Sequence, residues 1–251
     1  MTRFAVLRLQ GPLASFGDVA VDEIRRSDVL PGLSLLTGLL GNALGLRYTD
    51  YELLDRLQER LVVASRLDRR GEVLMDFQTA EMKKEDRAWR TGSPAVIKRE
   101  SANVDAPVIR YVNYRADAMV TVALTLNQSD ESPRLTDLTE ALTHPARPLF
   151  LGRCACPPGG PIFRGEWIEA AGPREAVEAI PLMPGADAAD HCEAEWPAVE
   201  AEIRQGFAMA DVRLIDRMDV RDWRSDVHSG VRYVIRSRVV VNPPPVTGGG
   251  R

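Results

Sequence analysis

Basic and aromatic residues alternate between positions 83 and 115 of this 251-residue sequence, and they are the side chains best suited to chemistry with a partner. The stretch holds eight basic and four acidic residues and contains every lysine of the chain. Cations neutralise phosphates, whereas flat rings and guanidinium planes stack on unpaired bases. The pattern predicts contact with a single-stranded nucleic acid; a solvated hairpin with packing aromatics is the alternative. The predicted contacts are Lys83, Lys84, Arg110, Tyr111, Tyr114 and Arg115.

The net charge of −4 conceals this basic stretch, because charges are segregated along the chain. Residues 83–115 and 203–251 each carry +4, whereas residues 169–202 carry −8. Twenty-nine of the 32 basic residues are arginines, whose planar fork suits bidentate phosphate contacts. A GC-rich genome explains an arginine bias equally well, but it does not explain where the acidic residues fall. We therefore expect a local nucleic-acid site on a chain that is acidic on average.

Motifs for catalysis or metal binding are weak. Cys154 and Cys156 lack the two-residue spacing of a zinc pair, and the histidines His144, His191 and His228 are scattered. The chain has no GxxxxGK[ST] phosphate loop and no obvious pair of carboxylates for acid–base work. We predict no catalytic residue, no metal and no cofactor.

Composition indicates how large a hydrophobic core the chain can form and in which cellular compartment it lies. With 45% hydrophobic residues, the chain can form one large domain or two small ones. Apolar runs are shorter than the roughly 18 residues of a membrane helix, and Arg8 interrupts the N-terminal one, so we expect neither a membrane span nor a signal peptide. Three cysteines cannot form a disulfide framework, which indicates a reducing cytoplasm.

Hydrophobic periodicity predicts the elements that must position these residues. Strands are expected at 4–9, 61–64, 108–114, 118–126 and 148–151, and helices at 34–46, 50–60 and 135–143. This is the βαββαβ order of an α+β fold with a ferredoxin-like or RNA-recognition-like palm, in which an insertion at about 80–112 projects as a thumb hairpin or loop. We expect the palm to span 1–160, a smaller C-terminal β-containing region to complete the fold over 161–241, and a flexible tail at 242–251.

Two glycine-rich segments are candidates for close backbone approach. Three glycines between positions 38 and 45 share one face of the first helix, for which Ser34 is the predicted cap. That face suits tight packing on a sheet or contact with RNA. Gly152 and Arg153 precede a chain rich in proline and glycine, which can place N–H groups and a cation against a phosphate. A plain turn is the alternative there.

Four motifs, in this order, resemble the CasD family of CRISPR-associated proteins, the type I-E branch of the Cas-five family. They are Leu7–Gly17, Pro31–Gly45, Tyr114–Leu124 and Pro148–Phe163. The resemblance implies a non-catalytic RNA-binding subunit of the Cascade surveillance complex, which serves antiviral defence against foreign DNA. Such a subunit holds the 5′ handle of the CRISPR RNA, caps the CasC backbone filament and contacts the large subunit CasA. It meets target DNA indirectly, through the complex.

The resemblance also implies further RNA contacts. They are Arg25, Arg26, Ser34, Gly38, Asn42, Asn113, Gly152, Arg153 and Arg164. Three places depart from the family's pattern, which often has a basic residue where this chain has Gly32-Leu33, an arginine where it has Val112, and a second arginine where it has Cys154. We expect neighbouring arginines of the predicted site to supply the missing charge.

An enzyme and a protein-interaction module are the alternatives. In the type I-C branch of the family, a subunit cleaves precursor CRISPR RNA without a metal, using groups such as His, Tyr and Lys near the palm. Attack by the RNA 2′-OH needs a general base close to it. Here the lysines are confined to the insertion, and no histidine adjoins the palm motifs in sequence. These facts favour binding over cleavage. If the chain is instead a plain protein-interaction module, the basic insertion can be deleted without loss of RNA.

Overall fold

The computed structural model describes residues 1–18, 23–80, 108–187, 191–199 and 212–241, and within them it has four helices and eleven strands. The helices are α1 (Leu33–Leu44), α2 (Tyr51–Arg60), α3 (Leu135–Thr143) and α4 (Pro173–Ala179). The strands are β1 (Thr2–Gln10), β2 (Leu13–Ala14), β3 (Ile24–Arg25), β4 (Leu61–Arg69), β5 (Glu72–Ala80), β6 (Val108–Ala116), β7 (Met119–Leu126), β8 (Phe163–Ala170), β9 (His191–Pro197), β10 (Val212–Asp222) and β11 (Val227–Val240). The fold is α+β, as predicted.

A seven-stranded sheet with the order β10-β11-β9-β4-β7-β1-β8 forms the centre of the molecule. Every neighbouring pair in it is antiparallel. Strands β1 and β7 lie inside it, because their apolar runs are buried on both faces. The strands predicted at 4–9, 61–64 and 118–126 and the helices predicted at 34–46, 50–60 and 135–143 are confirmed, with small shifts of their ends.

Helices cover both faces of this sheet. On one face, Leu36 of α1 and Leu138 of α3 share a core with Leu7 of β1. On the other face, Val177 of α4 belongs to a second core with Phe4 of β1. Both surfaces of the sheet are therefore used for packing.

The last strand of the predicted palm is not at 148–151. That segment is a loop, in which Leu151 is fully buried; its N–H donates to the carbonyl of Cys156 and its carbonyl accepts from the N–H of Ser15. Strand β8 occupies the position beside β1 instead, through pairs such as Phe4 with Ile168. A short apolar run is buried equally well as a loop or a strand, so periodicity misplaced this strand.

The C-terminal region extends the same sheet. Strand β9 pairs with β4, β11 pairs with β9, and β10 pairs with β11. The predicted tail at 242–251 lies outside the described residues. So does the segment 81–107 of the predicted thumb, with Lys83 and Lys84.

The arms of the predicted insertion form part of a second, smaller sheet. Strands β5 and β6 pair along their whole length, from Glu72 with Ala116 to Ala80 with Val108. The chain therefore enters and leaves the insertion as an antiparallel hairpin. The other side of β6 pairs with β2 and, in parallel, with β3. Strand β5 was not predicted, and most of its residues are exposed on both faces.

Candidate nucleic-acid interface

The hairpin of β5 and β6 sorts the predicted aromatic and basic residues onto two faces, because opposite residues of an antiparallel pair share a face. Tyr111 lies opposite Phe77, whereas Tyr114 lies opposite Leu74 on the other side. We call the side that carries Tyr111 the hairpin face. Its residues are Val73, Met75, Phe77 and Thr79 on β5 and Ile109, Tyr111, Asn113 and Arg115 on β6.

The two predicted tyrosines have different surroundings. Tyr114 is only 5% exposed, and the guanidinium of Arg153 lies 5.9 Å from its ring centroid. Tyr111 is half-buried, and its ring centroid lies 5.4 Å from that of Phe77, which is 55% exposed. A base needs an accessible ring face for stacking. The structure therefore favours Tyr111 over Tyr114 as a stacking residue.

Arg115 and Asn113 are half-buried on the hairpin face. Among the described residues, Arg115 Nε and Asn113 Oδ1 are buried without a hydrogen-bond partner. Burial and the nearby charge of Arg70 lower the pKa of Arg115, and attraction to Asp28 and Glu193 opposes them. A buried polar group without a partner is unfavourable, so an acceptor such as a phosphate would stabilise this guanidinium.

The other predicted arginines are distributed around the hairpin. Arg110 is half-buried on the side opposite the hairpin face. Arg25 of β3 is aligned with Val112 of β6, and the exposed Arg26 follows it directly. The small sheet thus carries Arg25 and Arg110 on the side opposite Arg115, with Arg26 directly after β3. Arg164 lies apart from them, exposed on β8 at the edge of the large sheet.

Asp28 ties the loop after β3 to the C-terminal strands. Its carboxylate forms ion pairs with Arg217 of β10 and Arg236 of β11, and it accepts a 2.6 Å hydrogen bond from the N–H of Val29. Burial alone would raise the pKa of Asp28, but the two arginines outweigh it and hold the pKa below its ordinary value. The chain that carries Arg26 is therefore anchored by a charged carboxylate.

The second glycine segment packs directly on the first motif. Gly152 has a φ of +95°, and a Cβ at this position would lie 1.8 Å from the carbonyl oxygen of Ser15. Only glycine fits there. Arg153 Nε donates to Ser15 Oγ at 3.1 Å, and the guanidinium of the same arginine lies over Tyr114. Residues of three separate motifs therefore meet at one place, beside the base of the hairpin.

The N-terminus of α1 is occupied by a carboxylate. Gly32 is the N-cap, so the prediction that Ser34 caps this helix is wrong. Asp219 of β10 supplies the cap, because its Oδ2 accepts a 2.8 Å hydrogen bond from the N–H of Leu33. Ser34 Oγ lies 3.1 Å from Nε2 of His228 on β11. The helix end that would attract an anion therefore already holds one.

Two arginines keep Asp219 charged. Arg232 donates to its two oxygens at 2.8 Å each, and Arg217 Nε lies 3.5 Å from Oδ2. Burial alone would raise the pKa of Asp219, but Arg232, the N–H of Leu33 and Arg217 together hold the pKa below its ordinary value. The hydrogen bond between β10 and α1 is therefore accepted by a charged carboxylate.

The glycine face of α1 packs against protein. A Cβ on Gly41 would lie 2.6 Å from Leu54 of α2, and a Cβ on Gly38 would lie 3.4 Å from the ring of Trp223. Asn42 Nδ2 donates to the carbonyl of Pro148 at 2.7 Å. The sequence predicts that this face serves tight packing on a sheet or contact with RNA. The structure shows packing, but the partners are helix α2 and the turn that contains Trp223, and not the sheet.

The sheet surface under α4 is closed. Arg66 is completely buried there; its Nη1 donates to the carbonyl of Ile180 at 2.6 Å and its Nε to Asp68 at 2.6 Å. This arginine satisfies carbonyl groups at the end of α4, which holds the helix on the sheet. RNA-recognition domains bind bases on an open sheet face. Here the part of the sheet under α4 is covered and offers no open surface for bases, so we take the small sheet as the candidate surface.

Three further features of the described residues concern metal binding, membrane spanning and thiol reactivity. Among the described residues, no three His, Cys, Asp or Glu side chains come together as a metal site. None of the described helices is long and apolar enough to cross a membrane. Burial raises the pKa of the Cys156 and Cys192 thiols, which disfavours the nucleophilic thiolate.

Comparison with known proteins places this chain in the class of CRISPR-associated proteins. The family model described as CRISPR-associated protein (Cas_Cas5) matches residues 4–235. The chain belongs to this Cas5 family, in agreement with the resemblance carried by its four motifs.

Relatives agree with this assignment. The chain is 31% identical, over 186 residues, to the CRISPR system Cascade subunit CasD of Escherichia coli (strain K12); the match covers 70% of this chain and 76% of the relative. It is also similar to a chain of a CRISPR RNA-guided surveillance complex, with a TM-score of 0.63, 26% identity and coverage of 97% of this chain and 95% of that one. A crystal structure of a Cas protein, 24% identical with a TM-score of 0.59, covers 96% of this chain and 100% of its own and shares the fold.

Two residues of the candidate interface were not predicted from the sequence. Phe77 lies on the hairpin face, and Asp219 lies at the N-terminus of α1. A signal for Phe77 existed, since the apolar Met75 and Phe77 alternate with polar residues at 76 and 78, as in a strand. Asp219 had no such signal, because its contact with Leu33 spans 186 positions.

Proposed function

We propose that this chain is a non-catalytic subunit of a type I-E CRISPR surveillance complex of the Cascade kind, and that it holds the 5′ handle of the CRISPR RNA. The observation that carries the proposal is the meeting of Ser15, Tyr114 and Arg153 beside a hairpin with basic and aromatic side chains. Membership of the Cas5 family and similarity to the CasD subunit of Escherichia coli support it.

In this proposal the strands β4-β7-β1-β8, with α1 and α3 on one face, form a ferredoxin-like palm. Strands β5 and β6 are the arms of the thumb. The RNA is recognised by shape and backbone: Arg26, Arg110 and Arg115 neutralise phosphates, and Tyr111 stacks on a base. The closed surface under α4 directs the RNA to the small sheet.

The proposed partners follow from the same role. The chain caps the CasC backbone filament, contacts CasA and meets target DNA indirectly, through the complex. It acts in antiviral defence in the cytoplasm and uses no cofactor. The acidic stretch 169–202 either faces away from the RNA or meets a basic surface of a partner.

Co-purification tests the proposal. The tagged chain is expressed with the other subunits of its locus and with the CRISPR array, and CRISPR RNA is expected to be retained in the isolated complex. Arg115→Ala together with Arg153→Ala should lower the RNA content, whereas Arg213→Ala, at an exposed position on β10, should not. A complex that contains the chain but retains full RNA in the double variant would contradict the assigned contacts. A chain that never enters the complex would contradict the subunit role.

A metal-independent endoribonuclease that processes precursor CRISPR RNA is the second candidate, and one contact favours it. The fold brings His228 to within 3.1 Å of Ser34 Oγ beside α1, although the two residues are far apart in sequence. Incubating the purified chain with precursor RNA in EDTA tests this activity. A single cut that disappears in His228→Ala would establish the enzyme, and intact RNA would support the binding subunit.

A further inference from the structure

An exposed pair of aromatic rings lies on the outer part of the hairpin face. Phe77 and Tyr111 stand directly opposite each other on β5 and β6, with ring centroids 5.4 Å apart and planes tilted by 53°. More than half of the Phe77 side chain is in contact with solvent. The pair therefore presents aromatic surface that the described part of the chain does not cover.

Neighbouring side chains extend this pair into an apolar strip. Val73 and Met75, on the same face of β5, are 56% and 65% exposed. Ile24 of β3, aligned with Tyr111, is 41% exposed. Single exposed apolar residues are common on protein surfaces, whereas a contiguous strip marks an interaction site.

The two sides of the hairpin differ in charge. Strands β5 and β6 contain two acidic residues, Glu72 and Asp76, and both lie on the side opposite the hairpin face. The hairpin face itself has the cation Arg115 and no carboxylate from these strands. Asp28 and Glu193, which lie outside the hairpin, attract this guanidinium. A face with open rings and a guanidinium, and with no carboxylate on its own two strands, still complements a polyanion with flat bases.

We infer that Phe77 and Tyr111 together form a stacking platform for unpaired bases of single-stranded RNA, with Arg115 beside the backbone. In RNA-recognition sheets, aromatic residues on adjacent strands stack two or three bases. Stacking tolerates any sequence, because every base has a π-face. This inference rests on the proposed function and adds to it a residue, Phe77, and a mode of binding.

Fluorescence anisotropy with the full-length chain tests the platform. The probe is a fluorescein-labelled single-stranded RNA with the repeat sequence of the chain's own locus. Phe77→Ala and Tyr111→Ala are each expected to weaken binding by about 5- to 100-fold, as removal of a stacking ring does. The slope of log affinity against log salt should not change, because neither side chain displaces counterions.

Matched variants separate stacking from other effects. Phe77→Trp keeps a ring and should keep the affinity, whereas Phe77→Leu keeps apolar volume and should lose it as Phe77→Ala does. Leu74→Ala is the control, because Leu74 is on the same strand and 45% exposed, but on the opposite side. It should leave the affinity unchanged. Thermal melting of each variant confirms that the chain is folded.

The outcomes distinguish this inference from the proposed function. If the wild-type chain binds RNA with a clear salt dependence and both alanine variants bind equally well, the platform is wrong and the proposed function stands. If Phe77→Leu retains the affinity that Phe77→Ala loses, the strip is an apolar packing surface, such as a protein contact, and the platform is again wrong. If the wild-type chain neither binds RNA nor retains it in the complex, the proposed function itself fails.

Discussion

Asp219 and Leu33 are joined by a hydrogen bond across 186 positions of sequence: the carboxylate of Asp219 accepts from the backbone N–H of Leu33 at 2.8 Å. One side chain thereby caps the first turn of α1 and fastens this helix to strand β10. The glycine-rich helix is thus positioned by residues that lie outside the four family motifs at 7–163. Its geometry depends on the C-terminal strands as much as on its own sequence.

Asp219→Ala should destabilise the fold strongly. It removes a helix cap and the carboxylate that neutralises Arg232, which leaves a half-buried guanidinium with fewer partners. We expect a loss of about 3 kcal/mol in the free energy of unfolding. Urea denaturation measures it. Asp216→Ala, which removes the same charge at an exposed position of the same strand, should change stability by less than about 0.5 kcal/mol; equal losses in the two variants would refute the role of Asp219.

Acid should weaken the same contacts. The pKa values of Asp28 and Asp219 are lowered in the folded chain from an ordinary value of 3.8. A lowered pKa means that the stabilisation is fully present above 3.8 and is lost as the pH falls through the folded-state value. The urea concentration at the unfolding midpoint should therefore decrease once the pH falls below about 4. Denaturation curves measured between neutral and strongly acidic pH test this. The variant Asp28→Asn/Asp219→Asn should be less stable at neutral pH and lose less on acidification; an identical drop would contradict this account.

Gly152→Ala should be far more damaging than Gly165→Ala. Both glycines have positive φ, +95° and +79°, so each alanine is strained. A Cβ at Gly152 would also lie 1.8 Å from the carbonyl oxygen of Ser15, whereas a Cβ at Gly165 meets nothing within 4 Å. We expect about 1 kcal/mol of destabilisation at Gly165 and at least about 3 kcal/mol at Gly152. Similar melting temperatures for the two variants would show that the Ser15 contact is dispensable.

Arg110→Ala combined with Arg115→Ala should weaken RNA binding and flatten its salt dependence. Each phosphate contact that is lost lowers the slope of log affinity against log salt by about 0.7 for a single strand. Anisotropy titrations over a series of salt concentrations measure this slope. Arg213→Ala, at an exposed position of β10, serves as the charge-matched control. An unchanged affinity and slope in the double variant would exclude both arginines as phosphate contacts.

The sequence by itself determined the family, the α+β class and most of the central strands and helices. These depend on local patterns: the apolar runs of β1 and β7, the helical periodicity of α2 and α3, and the glycines and prolines of the motifs. Such signals need only neighbouring residues, and the structure follows them. The last strand of the predicted palm was misplaced because a four-residue apolar run at 148–151 fits a buried loop as well as a strand.

The tertiary structure alone decided which predicted residues are accessible. Gly38 and Asn42 pack against protein, Asp219 occupies the start of α1, and Tyr114 is buried beneath Arg153. Tyr111, by contrast, lies beside Phe77 on an open face. Which face of a hairpin meets solvent depends on pairings between strands that are distant in sequence. Those pairings follow from the burial of the whole sheet, which no local pattern contains.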